Sequence, residues 1–85
     1  MTIENETTKK ISDGELLADI ENTQLEMRAY SKLDDGFYVL SRLPENIQSG
    51  QGNVHFMKSR EYSHLFSECS KFLEKLLALK DERGL

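Results

Sequence analysis

One apolar stripe near the end of this chain constrains it more than any other feature. Tyr62, Leu65, Phe66, Cys69, Phe72, Leu73, Leu76 and Leu79 recur at three- and four-residue steps, the period of one face of an α-helix. Ser59 is placed to cap the start. Lys80 and Arg83 sit where cations favour the end of a helix, and Gly84 supplies a stop. The spacing predicts a helix over about 60–82. Buried, each large member of the stripe contributes roughly 1.5–3 kcal/mol, so the stripe needs a cover.

The chain has 85 residues, enough for one hydrophobic core and no more. An earlier helix is announced by Ser12-Asp13-Gly14-Glu15, a serine followed three residues later by a glutamate, as in a capping box. Leu16, Leu17, Ile20, Met27 and Tyr30 form its apolar face, interrupted by Thr23 and Gln24. This predicts a helix over about 13–33. Asp34-Asp35-Gly36 then reads as a break. Gly36 would provide the left-handed residue and Asp35 would cap a short helix over about 35–43. The alternative is a β-hairpin at about 27–43, because Phe37, Tyr38 and Val39 suit strands. Pro44 stops whatever precedes it. Ser49-Gly50-Gln51-Gly52-Asn53 reads as the clearest loop. Val54, Phe56 and Met57 either extend the last helix backward or lead into it.

The expected fold class is therefore all-α, a helical hairpin or three-helix arrangement, with α+β as the alternative. Residues 11–85 form the domain and the polar residues 1–10 a disordered tail. Two helices leave part of a broad stripe open. Residues 37–43 could cover it. So could a second copy of the chain, in a four-helix arrangement about a twofold axis. The expected self-association surface is Tyr62, Leu65, Phe66, Cys69, Phe72, Leu73 and Leu76, in a homodimer.

Charge and composition narrow the function classes. Residues 1–50 hold five Lys/Arg against ten Asp/Glu, and residues 51–85 hold six against five. An acidic half disfavours phosphate-backbone and anionic-membrane binding. Lys58, Arg60, Lys71 and Lys75 are interleaved with Glu61, Glu68 and Glu74, the pattern of a salt-bridged outer face. Nucleic acid is thus the weaker partner, through the basic side of the last helix. The longest aliphatic run, Leu76–Leu79, is too short to span a bilayer. The opening residues lack the features of a secretion signal, and the single cysteine suits a reducing cytosol. Asn5-Glu6-Thr7 matches a glycosylation acceptor, which has no meaning in that compartment.

No catalytic pattern emerges. Cys69 lies mid-stripe, where a thiol lacks access and activation. Glu61 and His64 have the Glu-x-x-His step of di-metal bundles, yet the wheel turns His64 away from the stripe. His55 beside Phe56 reads as a packed histidine. No phosphate-binding loop or nucleophile elbow is present, so no enzyme, cofactor or metal is expected. The expectation is a small protein-binding regulator (inhibitor, adaptor or dedicated chaperone) that masks a partner's surface. Its contacts would be Glu15, Asp19, Glu21 and Glu26 on the first helix, with Asp34, Asp35, Tyr38 and Arg42 at and after the turn. The alternatives are a self-assembling structural helical hairpin and a nucleic-acid-binding regulator using the basic face of the last helix.

Overall fold

The computed structural model of the chain describes residues 11–85. The expected tail at 1–10 and the Asn5 acceptor lie outside them. All regular structure among the described residues is helical: α1 spans Asp13–Arg42, α2 Pro44–Ser49 and α3 Gln51–Glu82. The all-α reading holds, and no strand stands at 27–43. Among the described residues no helix is long and apolar enough to cross a membrane.

Local chemistry sets the ends. The Ser12 hydroxyl accepts the Glu15 N–H at 3.1 Å, closing the N-terminus of α1. At the other end Pro44 has no N–H to offer the Leu40 carbonyl, so α1 stops at Arg42. The Asn46 side-chain amide donates to that carbonyl at 2.7 Å instead, and Pro44 becomes the first residue of α2. Gly50, with φ 83°, closes α2 and opens α3. An L side chain there would be strained. Past Glu82, Gly84 turns left-handed with φ 71°, the stop expected of it.

Three sequence expectations fail here. Asp34-Asp35-Gly36 does not break the helix: α1 runs straight through it. A helical glycine costs only about 1 kcal/mol, and a long packed partner outweighs that. Asp35 therefore caps nothing. Gln51-Gly52-Asn53 is helix rather than loop, and Ser59 lies inside α3 instead of capping it.

Helices α1 and α3 run antiparallel along their whole length. Arg83 donates to Asp13 at 2.9 Å at one end, and Ser59 donates to Asp34 nearer the other. The seam residues of α1 follow alternating four- and three-residue steps: Leu16, Ile20, Thr23, Met27, Tyr30, Asp34, Phe37, Ser41, each buried or half-buried. This seam changes character along its length. At the open end Leu16 (0% exposed), Ile20, Leu76 (1%) and Leu79 form the apolar core, with Ile11 and Leu73 against it. In the middle Tyr62 stacks on both Tyr30 and Phe37, with centroids 6.0 and 5.7 Å apart, and Phe37 also stacks on His55 at 5.9 Å. The His55 Nδ1 is buried there without a hydrogen-bond partner. Towards the connection the seam narrows to Ser41, Ser59 and Gly52, all buried.

The narrowing explains why residue 52 is glycine. A Cβ at Gly52 would lie 2.8 Å from the Ser41 carbonyl oxygen, a backbone atom that cannot swing aside. Gly52→Ala is expected to lose about 1–3 kcal/mol as the helices are forced apart. Gly36, with nothing near its missing Cβ, should behave oppositely, Gly36→Ala gaining about 0.5–1 kcal/mol. Urea denaturation followed by far-UV circular dichroism checks both.

Candidate functional site

Two helices side by side can cover only one stripe of each other. Along the length of α1 and α3 the chain is a slab one helix deep, with overall extents of 54 × 22 × 14 Å. Its Cα radius of gyration is 17.6 Å, against about 11–12 Å for a compact chain of this length. The eight-residue stripe of α3 is wider than the seam, so the structure divides it. Leu76 and Leu79 are core, and Tyr62 belongs to the aromatic stack. Leu73 and Cys69 are half-buried, while Leu65, Phe66 and Phe72 (47% exposed) face outward. Of the expected self-association residues, Tyr62 and Leu76 are thus occupied within the chain. The others line its outer surfaces or the seam edge.

Each broad face carries a groove, and the two differ in charge. On one face Asp19, Asn22, Thr23 and Glu26 of α1 and Glu68, Cys69 and Phe72 of α3 line a groove of about 430 Å³. On the other, Met27, Arg28 and Lys32 meet Phe66 and Leu73 around a groove of about 490 Å³. The helical period separates them. At 100° per residue, Asp19 and Glu26 leave the seam on one side, Gln24 and Arg28 on the other.

The expected partner-binding residues do not form one patch. Glu15, Asp19 and Glu26 share a face, within about 40° on the wheel, whereas Glu21 points at least about 120° away from Glu15. Asp34 sits in the seam, half-buried and accepting from Ser59. The turn expected over Asp34–Tyr38 is absent, since α1 runs through these residues. Asp35 and Arg42 are exposed, and Tyr38 is 48% exposed, matching its expected outward position. Glu68 belongs with the acidic groove, although the charge pattern places it only on a salt-bridged outer face. The signal that could have found it is its position one helical turn ahead of Phe72, on the outward edge of the stripe.

The remaining candidates are ordinary surface. His64, 74% exposed in its side chain, stands 3.9 Å from Glu68, which also meets Lys71 at 3.6 Å. Arg60 lies over the Phe56 ring at 5.9 Å. No group of three or more His, Cys, Asp or Glu that could hold a metal occurs among the described residues. No family model, curated protein or solved structure matches the chain.

The surroundings of Cys69 displace its titration. Desolvation raises its thiol above the usual 9.0, and the Glu26 carboxylate, 3.7 Å from Sγ, raises it further by charge and hydrogen bond, with Glu68 adding to this. The thiolate is the reactive form, so alkylation near neutral pH should be slower than for a free cysteine. Glu26→Gln removes the charge and should speed it. Rates with iodoacetamide across the alkaline range measure the shift.

Proposed function

We propose that this chain is a small helical hairpin that binds another protein and works by covering its surface, without catalysis, as an inhibitor, adaptor or dedicated chaperone does. The observation that carries the reading is the exposure of large apolar side chains on both faces of a thin slab. Leu33, Leu40, Val54, Leu65 and Phe72 are among them, with Leu17, Tyr38, Phe56, Phe66 and Leu77. Apolar patches rimmed by charge on a small chain mark interaction surfaces. A bound protein gains the apolar area that the seam leaves uncovered.

The acidic face is the proposed contact. Asp19, Glu26 and Glu68 line one groove with Phe72, and Glu15 lies a helical turn before Asp19 on the same face, which suits a partner segment with basic residues flanking an apolar anchor. Tyr38 and Arg42, near the connection, are a second anchor of the kind enriched in binding hot spots. A reducing compartment, supported by the single cysteine, completes the proposal.

The test is affinity capture from the chain's own cell lysate after nuclease treatment, comparing the natural chain with Glu15→Lys/Asp19→Lys/Glu26→Lys. One stoichiometric protein should accompany the natural chain and be lost with the variant, whose helicity is unchanged. A companion retained by the variant would move the contact off this face. Loss of every companion on nuclease treatment would point to nucleic acid instead.

A further inference from the structure

The two grooves carry opposite charge. Both lie beside the same stretch of seam, one lined by Asp19, Glu26 and Glu68, the other by Arg28 and Lys32. Each also offers exposed aromatic surface, Phe72 in the acidic groove and Phe66 in the basic one. Because they open on opposite faces of one slab, they cannot meet within a chain, but they can meet between chains.

We propose that copies of this chain stack front to back, the face with the acidic groove of one copy lying against the face with the basic groove of the next. A twofold dimer through either groove would set like charges against each other near its axis, which costs free energy. Front-to-back stacking sets Arg28 and Lys32 against carboxylates and buries Phe66 and Phe72 together. A face 54 Å long and 22 Å wide has an outline on the order of 1,000 Å², above the roughly 800 Å² per partner of a standard stable interface. Such a contact is heterologous. Every copy that binds presents the same free face again, so assembly continues into an open stack or a ring. This needs no second protein, and because it uses the acidic face proposed above as the partner contact, a bound partner and the next copy compete for that face.

Sedimentation of the purified full-length chain tests it. The average mass should rise past two copies as concentration increases and fall as salt screens the charged contacts. Two variants then isolate the cause. Arg28→Glu/Lys32→Glu makes both grooves acidic, and Glu26→Lys/Glu68→Lys makes both basic. Each alone should remain a monomer with native helicity, and an equimolar mixture should assemble again. A natural chain that stays monomeric, or stops at two copies, overturns the proposal. So does a variant that still assembles alone, or a mixture no larger than its parts. None of these results depends on a companion protein, so failure here is separate from failure of the capture experiment.

Discussion

Everything in this structure follows from how little two helices can hide from water. An antiparallel pair shares one seam, and positions off that seam face solvent unless something else covers them. Here the seam takes one residue in three or four from each helix, from Leu16 to Ser41 on α1 and from Gly52 to Leu79 on α3. The stripe on α3 is broader than that. Leu65, Phe66 and Phe72 are therefore left outside, and they give the two faces their adhesive character.

The seam is graded rather than uniform. Leucines and an isoleucine at the open end contribute most of the burial. Aromatic rings stack across the middle, and small residues near the connection let the backbones approach closely at Gly52. Polar members of the seam are satisfied mostly within their own helix. Thr23 donates to the Asp19 carbonyl at 2.7 Å and Ser41 to that of Tyr38 at 2.6 Å. Ser59 and Asp34 instead pair across the seam. That cross-link fixes which residues stand opposite each other, since a slip of one turn would leave both polar groups unmatched.

The parts legible from sequence are those where pattern and chemistry agree. The Ser12 cap, the stop at Pro44 and the long apolar helix after residue 60 each rest on a periodic stripe, a local signal, or both. The middle misleads because Gly36 and Gly52 carry the same one-letter signal for different reasons. Gly36 is merely tolerated in a helix, and Gly52 is required by a neighbouring backbone. Neither marks a turn, and only the opposing Ser41 carbonyl shows why. The continuation of α1 is hidden similarly. Asp34 and Ser41 occupy seam positions, but polarity conceals their membership of the repeat that begins at Leu16. For the candidate site, charge on the first helix is visible in the sequence, but not its division. Glu21 separates from Glu15, Asp19 and Glu26 only once the seam sets the rotation of α1. The basic groove escapes a sequence reading because Arg28 and Lys32 acquire a common setting only beside Phe66 and Leu73 of the other helix.

The antiparallel course also places Asp13 beside Arg83, so the two described ends of the chain leave from the same short side. Tension applied between them would not shear the helices past one another. It would peel them apart rung by rung, as a zipper opens. The first rungs to bear load are Leu16, Ile20, Leu76 and Leu79, the most deeply buried part of the molecule. The weaker, polar rungs beside the connection lie farthest from the pull. Mechanical resistance is thus greatest at the beginning of the extension, with the stacked rings of Tyr30, Phe37 and Tyr62 as the next barrier.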